Sequence, residues 1–213
     1  SLFNLFSATI QAGDEVIIPA PYWVTYPELV KYCGGTVVEI HTHDENAFKI
    51  TPEQLKNAIT PKTKMLVLTT PSNPTGSIYS KEELTALGKV LEGTDIIVAS
   101  DEMYEKLTYD GTFTSCAAVS EDMYKRTITI NGLSKSVAMT GWRFGYMAAA
   151  DTELIKATKK LQSQSTSNIN SITQMAAIAG LNGSADADIE MMRKAFIERR
   201  DEAVKLINDI DGL

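Results

Sequence analysis

One lysine and one arginine stand in a stretch that otherwise carries no charge, NGLSKSVAMTGWRFGY, which spans residues 131–146. Lys135 has small and apolar neighbours, and we expect its amine to lose hydration there, which favours the neutral form. A neutral amine attacks a carbonyl carbon and forms a Schiff base. Arg143 presents a planar guanidinium that suits a phosphate. Together they indicate a phosphorylated aldehyde, although an ordinary solvated lysine in a surface loop explains these residues equally well.

The segment before the lysine predicts where that lysine lies. Residues 127–131 are alternating and β-branched, which is typical of a strand, and Gly132 is expected to break it. Lys135 would then sit on a turn at the carboxyl end of the strand, where open α/β sheets bind ligands.

Two other predicted strands end in polar side chains. Asn73 follows the apolar strand at 64–69, and Asp101 follows the apolar strand at 95–100. If these strands are parallel to the lysine strand, all three side chains lie along one edge of the sheet.

Each candidate side chain has a chemical and a plain structural interpretation. Asp101 could pair with a protonated ring nitrogen, because a carboxylate after an apolar strand needs a cation or donors, or it could cap a helix that begins at Glu102. Asn73 in PSNPTG could donate to a ring hydroxyl or be a turn residue. Tyr104 could be a second donor or pack in the core. Trp23 in PAPYW could stack on a planar ring or cover the core.

Helices and apolar strands alternate along the chain, which predicts an α/β protein with a mostly parallel sheet covered on both faces. Six strands are predicted, at 15–18, 36–43, 64–69, 95–100, 127–131 and 143–150. The link to the last strand is too short for a parallel crossover, so this strand should be antiparallel. Helices are predicted at 1–11, 25–33, from 51, from 80, and at 151–162, 171–181 and 186–209.

Composition narrows the class of protein. The chain has 213 residues, 44% of them hydrophobic, and a formal net charge of −7, which disfavours nucleic acid as a partner. No apolar run is long enough to span a membrane. Cys33 and Cys116 are far apart without metal-ligand spacing, so we expect buried free thiols in a reducing compartment such as the cytoplasm. The chain begins without Met inside a predicted helix, and we expect it to be cut from a longer protein.

The motifs PAPYW, PSNPTG, SDEMY and NGLSKSVAMTGWRFGY, in this order and spacing, resemble the fold-type-I pyridoxal-phosphate enzymes. The resemblance covers essentially the whole chain, and it is closest to the class-I aminotransferases of the bacterial aspartate aminotransferase group. It implies a three-layer α/β/α large domain, a seventh strand upstream of Ser1 and a homodimer.

The resemblance also implies pyridoxal 5'-phosphate as cofactor. Lys135 would form the Schiff base and later move a proton between the substrate Cα and the cofactor C4′. Asp101 would pair with the pyridine nitrogen and keep the ring an electron sink. The implied reaction is transamination of an amino acid, aspartate in the first place, with 2-oxoglutarate. The alternatives are another activity on this scaffold (β-lyase or decarboxylase), a non-catalytic dimerising domain, or a module that binds a phosphorylated ligand without a Schiff base.

The remaining implied contacts hold the cofactor in place. Tyr104 and Asn73 would hydrogen-bond its phenolic oxygen, and Trp23 would stack on its ring. Arg143 together with Ser134 would bind its phosphate. Tyr22 and Tyr26 are weaker candidates, and no role is assigned to the two histidines.

Some parts of the family pattern lie outside the chain. These are the Gly/Ser-rich phosphate-binding turn, the arginine that grips the substrate α-carboxylate, and the N-terminal arm that reaches a partner subunit. Residues 1–185 are therefore expected to form the cofactor-binding domain, truncated at its N-terminus. Residues 186–213 would form a long helix that leads into a small domain.

Overall fold

A six-stranded sheet runs through the centre of the computed structural model, which describes residues 1–212. The strands are β1 (Glu15–Ala20), β2 (Thr36–His41), β3 (Thr63–Thr69), β4 (Ile97–Asp101), β5 (Thr127–Gly132) and β6 (Gly145–Ala149). Their order in the sheet is β2-β1-β3-β4-β5-β6. All neighbouring pairs are parallel except β5 and β6, which are antiparallel. The predicted fold class and the antiparallel last strand are confirmed.

Eight α-helices accompany the sheet within residues 1–212. They are α1 (Leu2–Thr9), α2 (Thr25–Tyr32), α3 (Pro52–Ala58), α4 (Lys81–Leu91), α5 (Glu121–Arg126), α6 (Thr152–Gln164), α7 (Ser171–Leu181) and α8 (Asp186–Asn208). The short helix α5 was not predicted from the sequence. The helix starts predicted from 51 and from 80 are confirmed: α3 and α4 each follow a capping box, in which the Thr51 and Ser80 side chains accept a backbone N–H three residues later.

Two hydrophobic cores lie on opposite faces of the sheet, because successive side chains of a strand point to opposite faces. Ile17, Leu66 and Val98 pack on one face, and Val16, Val67 and Ala99 pack on the other. The first core also receives side chains from α3, α4 and α5, and the second receives side chains from α1 and α2. The sheet is therefore covered on both sides, as its apolar strands require.

Two strand boundaries differ from the sequence prediction near the lysine. Gly132 does not break β5 but is its last residue, paired with Gly145 of β6. A Cβ at Gly132 would lie 2.7 Å from the Phe144 carbonyl oxygen, so only glycine lets the two chains approach this closely. β6 starts at Gly145 rather than at 143, because Arg143 takes a left-handed conformation (φ 57) at the end of a 3-10 turn.

Several smaller expectations can be compared with the structure. β2 ends at His41 rather than at 43, and both histidines are exposed. Both cysteines are free thiols, but only Cys116 is buried; Cys33, at the exposed end of α2, is half-buried. None of the helices in residues 1–212 is long and apolar enough to cross a membrane.

Candidate active site

The carboxyl ends of three neighbouring parallel strands meet at one edge of the sheet. Thr69 of β3 pairs with Asp101 of β4, and Asp101 pairs with Ile130 of β5. The loops that leave these strands carry Asn73 and Lys135. The predicted adjacency of the three strand ends is therefore found, with β4 in the middle.

Asp101 occupies the central position and is 5% exposed. Its Oδ2 accepts a hydrogen bond from the Tyr26 hydroxyl (2.8 Å), and its Oδ1 accepts one from the Met103 N–H (3.2 Å). Burial raises the pKa of Asp101 above its ordinary value, and the two hydrogen bonds oppose that rise. Within residues 1–212 no Lys, Arg or His forms a salt bridge with this carboxylate.

Tyr26 links this carboxylate to its surroundings. Its hydroxyl lies 2.9 Å from the Thr69 Oγ1, and its ring meets the Trp23 ring edge-on with 5.6 Å between ring centres. Burial and the nearby Asp101 charge raise the pKa of Tyr26, so its hydroxyl stays protonated and donates.

The helix-cap interpretation of Asp101 does not describe the structure. In the described chain, no α-helix begins at Glu102, and the backbone forms only a 3-10 turn at Glu105–Leu107. The bond to the Met103 N–H is a local turn contact that orients the carboxylate.

Lys135 lies in an open cleft of about 980 Å³, a size at the upper end for small-molecule sites. Asn73, Tyr104 and Ser134 line the same cleft. The Lys135 amine lies 5.8 Å from the centre of the Tyr104 ring. Contrary to the sequence prediction, Lys135 is exposed: Leu133 and Ser136 of the same turn are buried, but the Lys135 side chain lines the open cleft.

A second cleft, of about 860 Å³, contains Trp23 and Arg143. Ser134 lines both clefts, so the two meet beside Lys135. The exposed Arg143 guanidinium donates through Nη1 to the Thr140 carbonyl (3.0 Å), which turns the side chain back along its own loop. Its left-handed backbone is uncommon for a non-glycine residue and often accompanies functional positions.

The candidates thus fall into three groups. Asn73, Tyr104 and Lys135 share the first cleft, Trp23 and Arg143 share the second, and Asp101 is buried at the sheet edge between their loops. Sequence reasoning underrated Tyr26. One sequence feature could have indicated that Tyr26 is buried. It lies four residues before Val30, so both residues fall on the same face of α2, and that face is buried.

An amine, a guanidinium and a buried carboxylate thus lie around the carboxyl ends of the parallel strands of an α/β domain, the place where open α/β sheets bind ligands. Comparison with known proteins gives the family: the model of class I and II aminotransferases matches residues 1–213. The chain belongs to this family.

The chain is similar to curated aspartate aminotransferases. It is 51% identical to that of Bacillus subtilis (strain 168) over 213 residues, which is 100% of this chain and 54% of the relative. It is 50% identical to the aspartate/prephenate aminotransferase of Nitrosomonas europaea, over 100% of this chain and 54% of the relative. The solved aspartate aminotransferase from Rhizobium meliloti superposes with a TM-score of 0.94 at 43% identity, covering 99% of this chain and 53% of that one. The chain thus spans about half the length of the curated relatives that it matches.

Proposed function

We propose that the protein catalyses pyridoxal-phosphate-dependent transamination of aspartate with 2-oxoglutarate, and that this chain supplies the cofactor-binding part of the site. The observation that carries the proposal is the buried Asp101 carboxylate at the sheet edge. It lies between the loops that hold Asn73 and Lys135, and in residues 1–212 it forms no salt bridge with a cationic side chain.

The residues present fit pyridoxal 5'-phosphate by the chemistry of their donors. A buried carboxylate whose pKa is raised by desolvation would be stabilised by a cationic N–H, and the pyridinium of the cofactor is such a group. Tyr104 and Asn73 offer a hydroxyl and an amide for the ring oxygen, and Trp23 offers a flat surface for the ring. The accessible Lys135 amine can reach a carbonyl carbon, since it lines the same cleft as Tyr104 and Asn73.

When bound, the cofactor supplies an aldehyde for the amine and a conjugated ring that takes up an electron pair. Asp101 would hold the ring nitrogen protonated, and Tyr26 would keep that carboxylate oriented through its 2.8 Å hydrogen bond. Lys135 Nζ would hold the aldehyde carbon and, once released as a free amine, would take the proton from the substrate Cα and deliver it to the cofactor C4′. Ser134, which lines both clefts, and Arg143, which lines the second, would bind the phosphate.

The proposed reaction can be tested against its alternatives with one set of product assays. The protein at its full natural length is incubated with aspartate and 2-oxoglutarate, and glutamate and oxaloacetate are measured. Equal formation of both products is the expected result. Alanine and carbon dioxide formed from aspartate without glutamate would point instead to a decarboxylase. A β-lyase would form no glutamate and would release ammonia and pyruvate only from a parallel substrate with a leaving group at Cβ, such as a cysteine thioether. No turnover in a preparation that binds the cofactor would point to the non-catalytic dimerising domain.

A second acceptor merits the same assay, because the Nitrosomonas europaea relative is named for aspartate and prephenate. Comparing kcat/KM for 2-oxoglutarate and prephenate would show which oxo acid the protein prefers. We expect 2-oxoglutarate to be the better acceptor.

Arg143→Ala should weaken binding of pyridoxal phosphate about 10- to 100-fold, since a hydrogen bond to a charged group contributes about 1.5–3 kcal/mol. Its effect on dephosphorylated pyridoxal should be small. Binding is measured by titration of the visible absorbance for both ligands. Arg143→Lys keeps the charge but loses the planar fork and should give an intermediate loss.

The matched control for Arg143 is Arg199→Ala, which removes an equally exposed arginine on α8, outside both clefts. This control should bind both ligands like the wild type. An equal loss of affinity for both ligands in Arg143→Ala would contradict the phosphate role.

Three further proposals concern the whole protein. Residues 1–185 would form the cofactor-binding domain, and α8 would begin the connection at 186–213 to a small domain. The protein would be a homodimer, as the family resemblance implies, which sedimentation at full natural length can test. A cytoplasmic location is supported by the two free thiols of Cys33 and Cys116.

A further inference from the structure

Glu102 is a buried carboxyl beside the proposed site that none of the steps above uses. It is 2% exposed and directly follows Asp101. Its Oε1 accepts three hydrogen bonds, from the Ser100 hydroxyl (2.8 Å), the Ser115 hydroxyl (2.8 Å) and the Cys116 N–H (3.2 Å). Burying a carboxyl costs free energy unless hydrogen-bond donors compensate for the lost hydration. Packing alone does not require a carboxyl here, which indicates a role for Glu102 in the site.

The two neighbouring carboxyls face opposite sides of the sheet. Ser100 and Glu102 are two positions apart and share one side, where Cys116 belongs to the core with α4 and α5. Asp101 faces the other side and meets Tyr26. Glu102 therefore has no direct access to a ligand held by Asp101 and can act on the site only through the backbone.

Backbone hydrogen bonds connect Glu102 to the turn that carries Tyr104. The Glu102 N–H donates to the Ile130 carbonyl of β5 (2.8 Å), and the Glu102 carbonyl accepts from the Glu105 N–H (3.0 Å). The Tyr104 carbonyl in turn accepts from the Leu107 N–H (2.8 Å). These bonds fix the turn that presents the Tyr104 ring beside the Lys135 amine.

The other polar ties between the 103–114 segment and α8 lie nearer the surface. They are the ion pairs Lys106–Asp186 (2.8 Å) and Arg200–Asp110, the Arg200 guanidinium over the Tyr109 ring (5.5 Å), and a bond from Arg193 to the Thr108 carbonyl (3.3 Å). The Lys106 and Asp186 side chains are 37% and 61% exposed, and ion pairs this exposed contribute little. The bonds from the Ser115 hydroxyl and the Cys116 N–H to Glu102 join the two ends of the segment at its base, and the Cys116 bond is buried.

We propose that Glu102 is a positioning residue: its carboxylate closes the 103–114 segment at the base and thereby holds Tyr104 beside Lys135 for the cofactor oxygen. The inference rests on the proposed function for the role of Tyr104. The closure of the segment by Glu102 is a property of the chain itself. The two parts can therefore be tested separately in the protein at full natural length.

The first test uses hydrogen exchange without cofactor. Glu102→Ala should speed exchange of the 103–114 amides at least about tenfold, because it removes an acceptor shared by three donors. Glu102→Gln should restore slow exchange, since its amide oxygen can accept the same three bonds. Glu105→Ala is the control, because this half-buried neighbour makes no side-chain hydrogen bond within residues 1–212 and should exchange like the wild type. Unchanged exchange in Glu102→Ala would overturn the closure.

The second test uses the pH titration of the bound cofactor's visible absorbance. A hydrogen bond from Tyr104 to the ring oxygen should lower the chromophore's apparent pKa, so Tyr104→Phe should raise it. Glu102→Ala should shift the titration in the same direction, and the double variant should add little, because both act through one hydrogen bond. Additive shifts, or a wild-type titration in Glu102→Ala, would overturn the positioning role.

Two further outcomes need their own experiment: a Glu102→Ala variant that does not fold, and a wild type that gives no cofactor absorbance. If Glu102→Ala does not fold, Ser115→Ala removes one of the three donors and leaves the carboxyl in place; it should give both effects at smaller amplitude. If the wild type gives no cofactor absorbance at all, the proposed function fails, and hydrogen exchange alone still decides whether Glu102 closes the segment.

Discussion

Replacing Lys135 by alanine is expected to lower turnover at least about 10⁴-fold, because the variant loses both a nucleophile and a proton-transfer group. It should still bind the cofactor through the remaining contacts, but the visible band that reports a covalent link to the amine should be absent. Turnover is measured by the coupled release of oxaloacetate, and the band by absorbance after adding cofactor.

The sharpest form of this experiment locates the attachment point. Borohydride reduction of the wild type fixes the cofactor to its lysine, and peptide mass spectrometry then identifies that lysine. Lys49 lines the same cleft as Lys135 and is therefore the alternative attachment point. However, its amine forms an ion pair with Glu83 at 2.5 Å, which would have to break before that amine could attack a carbonyl carbon.

The matched control is Lys159→Ala, which removes an exposed lysine of α6 that lines neither cleft. It should keep the wild-type spectrum and turnover. Attachment at Lys49, or an unchanged visible band in Lys135→Ala, would show that the catalytic lysine has been assigned wrongly.

Asp101→Asn is expected to change stability and cofactor affinity in opposite directions. Burial raises the folded-state pKa of Asp101 above its unfolded value of about 3.9, so folding favours the protonated form. The stability that the protonated carboxyl contributes is fully present below about pH 4 and is lost as the pH rises through the folded-state pKa. At pH 7 the unfolded carboxyl is ionised, so folding the cofactor-free protein must either bury that charge or neutralise it, and asparagine removes this cost.

The cofactor-free variant should accordingly be more stable than the wild type at pH 7, and the difference should disappear below about pH 4. A gain of 1 kcal/mol would raise the Tm by about 2–4 °C for a chain of this size. The neutral amide can still accept from the Met103 N–H and contact the Tyr26 hydroxyl, so the packing need not change. Thermal unfolding at several pH values measures this effect.

The same substitution should weaken cofactor binding at least about 100-fold, because removing one partner of a buried charge pair is strongly destabilising. Turnover should fall further, since a neutral ring is a poorer electron sink. Asp95→Asn, at an exposed position just before β4, is the control and should alter neither property. Equal stability and equal affinity in Asp101→Asn and the wild type would contradict the proposed pairing.

Much of the fold was predictable because it depends on local rules. Apolar strands need cover on both faces, which makes a mostly parallel sheet between helices the expected solution. The short link between Gly132 and Gly145 leaves no room for a crossover, so β6 had to be antiparallel. The helix starts at Thr51 and Ser80 could be predicted because N-capping joins residues only three positions apart.

The sequence prediction was weakest where exposure depends on distant parts of the chain. Small and apolar neighbours made Lys135 look desolvated, yet its turn leaves the amine in an open cleft. The contact between Tyr26 and Asp101 joins residues 75 positions apart, and no local pattern specifies it. The same holds for Ser115 on Glu102, where the partner comes from the far end of an irregular segment.

The amino-acid sequence by itself determined the chemical groups, their order along the chain and the strands that carry them, because hydrophobic pattern and turn residues act over a few positions. Only the tertiary structure decided which of these groups are buried and what they contact. Burial and hydrogen bonding of Asp101 and Glu102 depend on strand register, helix packing and loop closure, which arise only when distant segments come together. These same factors set the pKa of each carboxyl, and thus what it can do in the site.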